Sequence, residues 1–137
     1  MLNSPAWTSR VLSVLRIVIA LMFLEHATMK LFEFPAQIPG MAYPLPTIML
    51  VAGLIEIITG ALMTFGLFTR IAAFVASGEM AVAYFIAHAP HGFWPVLNMG
   101  EAAVMFCFVF LFLAFAGGGA WALDNIARRS SNLRRLL

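Results

Sequence analysis

The chain has 137 residues, of which 63% are hydrophobic and 10% charged, and its formal net charge is +2. Its mean hydropathy is +0.96. Soluble domains contain roughly 45–50% apolar and about 25% charged residues, so this composition excludes an ordinary soluble fold and predicts a membrane protein. We expect the lipid bilayer to surround the chain and expect no nucleic-acid partner.

The sequence contains a single cysteine, Cys107. It cannot form an intrachain disulfide, and no second cysteine is present to hold a zinc ion or attach a haem. No cofactor is therefore encoded by a motif in the sequence. Redox chemistry, if the protein takes part in it, needs a diffusible cofactor or a partner protein.

Four apolar stretches approach or reach the ~20 residues that a helix needs to cross about 30 Å of hydrocarbon. They cover residues 11–32, 47–65, 71–87 and 96–116. Prolines and glycines between them break any continuous helix, above all in residues 33–46 and 88–95. The sequence predicts an all-α integral membrane bundle of four transmembrane helices. It forms one domain over residues 1–137, as a monomer or a homo-oligomer.

Basic residues predict the orientation of the bundle. Arg10, Arg70 and the arginines after residue 127 fall on one side of a four-span chain, whereas Lys30 lies toward the other. Cytoplasmic loops retain Lys and Arg, so both termini are predicted to be cytoplasmic in a multi-pass protein of the bacterial cytoplasmic (inner) membrane. Residues 120–137 alternate apolar and basic side chains, which favours a tail on the inner leaflet; a solvated tail is the alternative.

Every predicted span carries one glutamate, and the stretch "FLEHATMKLF" adds a histidine and a lysine to the first. An isolated charge near the bilayer centre costs about 2.5–3.5 kcal/mol, so these groups are expected to face one another in the outer half of the bundle. No catalytic residue is assigned. The candidate ligand or proton-site residues are Glu25, His26, Lys30, Glu56, Glu79, Asn98 and Glu101.

The charges in the predicted spans do not balance. Four ionised glutamates exceed the two cations Arg16 and Lys30, so some glutamates must be protonated, His26 must be charged or a cation must bind. Di-metal bundles use Glu-x-x-His pairs on two helices, and the sequence has none, so we expect no metal centre. A purely structural alternative has Glu56 and Glu79 fixing helix packing while Lys30 reaches the outer interface.

Five segments occur in an order that resembles the DoxX family of small four-helix bacterial membrane proteins. The family's His-Gly-x-x-Lys motif matches His26 to Lys30 with an alanine in place of the glycine. Its Asn-Gly-Gly-Glu motif matches Asn98 to Glu101, with Met99 in place of one glycine. The segments are "LRIVIALMFLEHATMKLF", "GLIEIITGALMTFGLFTRIAA", "MAVAYFIAH", "GFWPVLNMGEAA" and "GGGAWALD".

The resemblance implies a membrane subunit associated with quinone-linked redox or oxidative-stress chemistry, since the family is named for a subunit associated with quinone-linked thiosulfate oxidation. A quinone would need an apolar slot of Phe and Met, with His26, Glu56 or Glu101 beside its carbonyl oxygens. A redox partner protein would supply the electrons, and whether the chain is itself an enzyme stays open. The alternatives are a proton-coupled carrier of small molecules and a non-catalytic membrane anchor for soluble redox enzymes.

Overall fold

A computed structural model describes residues 5–125, and within that range it contains helices and no strand. The prediction of an all-α fold is confirmed for this part of the chain. Helix α3 continues without a break into a π-helical turn, Tyr84–His88, and a 3₁₀ turn, Ala89–His91. The α-helices are α1 (Pro5–Phe32), α2 (Thr47–Phe65), α3 (Thr69–Ala83), α4 (Pro95–Asn98) and α5 (Glu101–Ala116).

Three of these helices are long and apolar enough to cross a membrane: α1, α2, and α3 together with its extension to His91. Helix α5 is also apolar but has only 16 residues, or about 24 Å of helix. The described helices are thus consistent with a membrane bundle of three to four spans.

The fourth predicted span, residues 96–116, is interrupted near its beginning. Helix α4 ends at Asn98, and Met99 adopts a positive φ of 60°. A Cβ on Gly100 would lie 2.7 Å from the Tyr84 ring, so only glycine fits at position 100. The break therefore follows from the close approach of α3 to this turn. At the other end of the chain, α1 is already helical at Pro5, six residues before the predicted start of its span.

The helices pack as two pairs. Helix α1 lies mainly against α2, and α3 mainly against α5, while α2 and α3 join the two pairs. The backbones of α1 and α5 scarcely meet, and three buried aromatic rings fill the space between them. The ring centroid of Phe23 lies 5.3 Å from that of Phe106 and 4.7 Å from that of Phe110. We call this junction the α1–α5 seam.

Glycines in α2 bring it close to α1. A Cβ on Gly60 would lie 2.9 Å from Leu24 Cγ, and one on Gly53 would lie 3.1 Å from Lys30 Cβ. Small residues at a helix interface allow such close approach in membranes, where packing drives association. Lys30 is thereby brought directly against α2.

The two ends of the bundle differ. The beginning of α1 and the segment that follows α5 lie at the same end, because the Ala120 N–H donates to the Ser9 carbonyl (3.1 Å). We call this the termini side. The opposite end, which carries Lys30, the proline-rich residues 33–46 and the turn around Asn98, is the loop side.

Candidate functional site

A buried ion pair joins α1 to α2 on the loop side. The Lys30 ammonium Nζ donates to Glu56 Oε1 at 2.5 Å. Glu56 is 0% exposed and the Lys30 side chain 13% exposed. Glu56 is the tenth of the 19 residues of α2, so its carboxylate comes from the middle of an apolar helix. The small size of Gly53 lets the two helices approach closely at this level.

Glu79 brings a second carboxyl group to this pair from α3. It is half-buried and lies within electrostatic range of both Glu56 and Lys30. One oxygen of each carboxyl group, Oε2 of Glu56 and Oε2 of Glu79, is buried without a hydrogen-bond partner in the described structure. The Lys30 ammonium thus bonds to Glu56, and Glu79 is a second carboxyl group in its electrostatic range. We call Lys30, Glu56 and Glu79 the Lys30 cluster.

His26 lies one helical turn before Lys30 on α1. Its imidazole is exposed, and it packs edge-on against the Phe106 ring with 5.5 Å between ring centroids. It also lies within electrostatic range of Lys30 and Glu25. His26 therefore connects the outer surface of the α1–α5 seam with the buried cluster.

Glu25 and Glu101 lie outside the Lys30 cluster. Both side chains are exposed, Glu25 on α1 and Glu101 in the first turn of α5. A carboxylate in that first turn is favoured by the partial positive charge of the helix N-terminus. The prediction that all four glutamates face one another inside the bundle is therefore wrong for these two residues.

Asn98 is buried, but its side chain organises the loop side and does not join the cluster. Its Nδ2 donates to the Gly92 carbonyl (2.6 Å) and to the Tyr84 hydroxyl (3.3 Å). Its Oδ1 accepts from the Gly100 N–H (2.8 Å). The Nδ1 of His88 lies 3.1 Å from the Asn98 carbonyl oxygen. These contacts tie the π-turn to the beginning of α5.

The sequence suggested that Arg16 balances the charge of the glutamates, but the structure places it elsewhere. It precedes Lys30 by about 21 Å along α1 and is only 1% exposed. Its Nε donates to the Gly118 carbonyl (2.8 Å), and its Nη1 donates to the carbonyls of Met63 and Thr64. The latter two belong to the last turn of α2, whose carbonyls have no partner within the helix. Arg16 thus satisfies backbone groups on the termini side.

Asp124 caps α3, a role that sequence reasoning missed. Its carboxylate oxygens accept the N–H groups of Phe68 (3.0 Å) and Thr69 (3.1 Å), where α3 begins. The neighbouring Ala122 is buried. Residues 120–125, predicted as the start of an interfacial tail, therefore complete the end of the bundle. The prediction for residues 126–137 falls outside the described residues.

Apolar helices around a buried lysine–glutamate pair define a small helical membrane protein that crosses the bilayer several times. The chain belongs to the DoxX family, whose sequence profile matches residues 11–89. The matched range contains all three residues of the Lys30 cluster, whereas Asn98 and Glu101 lie beyond it. The predicted family is thereby confirmed.

Two relatives resemble most of the chain. A Haemophilus influenzae protein described as uncharacterized is 48% identical, over 83% of this chain and 88% of the relative. A protein of Mycobacterium tuberculosis described as an uncharacterized membrane protein is 28% identical, over 81% of this chain and 77% of the relative. No solved structure matches the chain significantly.

Proposed function

We propose that the protein is a membrane subunit associated with quinone-linked redox or oxidative-stress chemistry. The observation that carries the proposal is the position of His26, exposed at the α1–α5 seam against the Phe106 ring and in electrostatic contact with Lys30. A quinone dissolved in the bilayer would reach such an imidazole sideways, from the lipid. The family resemblance, which implies quinone-linked chemistry, supports the same conclusion.

The seam offers the two features that a quinone head group needs, an apolar surface and a hydrogen-bonding group. Met22, exposed one turn before His26, would contact the quinone ring, while the imidazole, packed on the buried Phe106 ring, would contact a carbonyl oxygen. Phe23 and Phe110 already fill the space between the helices. The quinone would therefore bind on the outside of the seam, and a partner protein would exchange electrons with it.

The test is binding of a short-chain quinone analogue to the full-length protein in lipid nanodiscs. We expect His26→Gln to weaken binding at least tenfold. The matched control is His91→Gln, an exposed histidine at the end of the α3 extension, which should bind as the wild type does. Equal affinity of both variants would contradict the proposal. Proteins that co-purify in mild detergent would identify the redox partner.

A second function, a proton-coupled carrier of small molecules, is favoured by the two unpartnered carboxyl oxygens of the Lys30 cluster. Carriers of this kind alternate between protonated and ionised carboxyl groups. Proton uptake into proteoliposomes, compared between the wild type and Glu56→Gln, distinguishes this function from quinone binding. Proton uptake that is lost in Glu56→Gln and retained in His26→Gln would favour the carrier.

The orientation of the bundle belongs to the same proposal. Arg10, in the early part of α1, and Arg70, in the first turn of α3, both lie on the termini side, whereas Lys30 lies on the loop side. The excess of arginine supports a cytoplasmic position for the termini side in a bacterial inner membrane, with the Lys30 cluster in the outer half.

A further inference from the structure

We propose that the Lys30 cluster binds one proton, held by the carboxyl group of Glu79 while Glu56 stays paired with Lys30. This site requires no quinone, so the inference goes beyond the proposed function and stands or falls separately from it. It also gives a role to two buried carboxyl groups that the contact between a quinone and His26 does not use.

Hydrogen bonding provides the first argument. Glu56 is completely buried, and its Oε1 already accepts from Lys30, but its Oε2 has no donor. Oε2 of Glu79 is also buried and also has no hydrogen-bond donor. A carboxylate only accepts hydrogen bonds, whereas a carboxylic acid also donates one. A proton on Glu79 would turn its unpaired carboxylate into a group that can donate, and would remove the cost of burying an unpaired charge there.

Charge balance provides the second argument, and it involves every helix around the cluster. Helix α1 contributes the ammonium of Lys30 and the exposed imidazole of His26, α2 contributes Glu56, and α3 contributes Glu79. In α5, Glu101 is exposed and the Cys107 thiol lies against Ser77 Oγ (3.6 Å). With both cluster carboxyls ionised, the cluster carries one excess negative charge. One bound proton makes it neutral, as a low-dielectric interior favours.

The two glutamates differ in access. Glu56 is enclosed completely and is held by Lys30, whereas Glu79 is only half-buried. Proton exchange with the surroundings would therefore pass through Glu79. Glu56 would hold the charge that keeps Lys30 in place.

The test is infrared spectroscopy of the full-length protein in lipid at neutral pH, which detects the carbonyl stretch of a protonated carboxyl group and its shift in D₂O. We expect one such group in the wild type. Glu79→Gln should abolish the band, because the remaining carboxylate pairs with Lys30. The control is Glu33→Gln, an exposed loop carboxylate bonded to Gln37, which should leave the band unchanged.

A substitution of Lys30 should increase the carbonyl band instead of abolishing it. Lys30→Gln removes the balancing ammonium, so the band should double as both carboxyl groups become protonated. Because Glu79 is half-buried, Glu79→Gln should fold, and detergent melting would verify that both variants are intact. A wild type without the band, or a band that persists in Glu79→Gln, would overturn the proposal. Loss of the wild-type band on adding sodium would also overturn it, since a metal cation would then occupy the site.

Discussion

At the scale of single residues, the most completely buried cation of the described structure is Arg16. Its planar guanidinium presents several donors in a fixed geometry, and they point at backbone carbonyls of two separate segments. Hydrogen bonds to charged groups contribute about 1.5–3 kcal/mol, and a buried carbonyl left without a donor costs about 1–3 kcal/mol. Arg16 therefore supports the termini side of the bundle as a structural residue.

We expect Arg16→Met to lower the free energy of unfolding by about 2–4 kcal/mol, because it leaves the Thr64 carbonyl unpaired. The Gly118 carbonyl would keep only the 3.5 Å hydrogen bond from the Ser13 hydroxyl. Thermal unfolding in detergent, followed by circular dichroism, measures the change. Arg10→Met is the matched control, since Arg10 is exposed and stacks on the Trp7 ring. It should stay within about 0.5 kcal/mol of the wild type. An equal loss of unfolding free energy in both variants would show that the hydrogen bonds of Arg16 do not cause the effect.

Glu56 and Glu101 provide a second comparison at this scale. Glu56→Gln keeps the shape of the side chain and a hydrogen bond to Lys30, and such interhelical bonds average only about 0.6 kcal/mol in membranes. We expect the fold to persist while resistance of cells to quinone or thiol oxidants is lost. Glu101→Gln should retain resistance, since that side chain is exposed at the start of α5. Full resistance of both variants at normal abundance would leave Glu56 with a packing role only.

At the scale of helices, the contact between α1 and α2 depends on the absence of a side chain at residue 60. Adding a Cβ there would place it 2.9 Å from Leu24, closer than side-chain carbons normally approach. The Leu24 side chain would have to repack, or α1 would have to move away from α2. Packing at this level of the interface is thus set by a residue that has no side chain.

We expect Gly60→Ala to lower the melting temperature of the protein. Gly78→Ala is the matched control, because a Cβ at that α3 position would meet nothing within 4 Å. Alanine is favoured over glycine in a helix interior by about 0.8–1.0 kcal/mol, so Gly78→Ala should be neutral or stabilising. If both variants melted alike, the close approach of α1 and α2 would not matter for stability.

The first three predicted spans agree with helices of the structure, because length and apolarity alone identify them. The break before α5 was not predictable in this way. It depends on the Tyr84 ring, which lies far from Gly100 in sequence but occupies the space of its missing side chain. Contacts between distant segments leave no periodic signal in the chain.

The candidate site was likewise predictable from the sequence only in part. Glu56 was predicted among the candidate site residues inside the bundle, and the structure buries it against Lys30 of α1. The spacing along α1 already set Glu25 roughly 100° from His26. The rotation of α1 about its axis decides which of these two side chains lies beside the other helices, and sequence spacing does not give that rotation. Asp124 was missed because its partners, the first N–H groups of α3, belong to the backbone.

At the scale of the whole molecule, the two helix pairs are joined strongly through α2 and α3 and weakly across the seam. Three phenylalanine rings, rather than backbone contact, close the bundle between α1 and α5. The seam is consequently the side of the bundle where buried aromatic rings lie directly behind an exposed ionisable group, His26.

Orientation is also a property of the whole chain. We expect a reporter fused after residue 137 to lie in the cytoplasm, because Arg10 and Arg70 lie on the termini side and basic residues favour the cytoplasmic side. Alkaline phosphatase, active outside, and green fluorescent protein, fluorescent inside, form a complementary pair of fusions. A reporter inserted in the loop at Gly40 should give the reverse pattern. Activity of the terminal phosphatase fusion would invert the proposed topology.

The partners of Arg16 impose an order on biosynthesis. Its acceptors lie 47, 48 and 102 residues further along the chain, so a newly made α1 enters the bilayer with an arginine that has no acceptors yet. At a translation rate of about 5–20 residues per second, several seconds pass between the synthesis of Arg16 and that of its acceptor Gly118. A chain that stops short of Gly118 never completes the set. Full synthesis of the protein is thus required before the buried arginine of α1 has all of its acceptors.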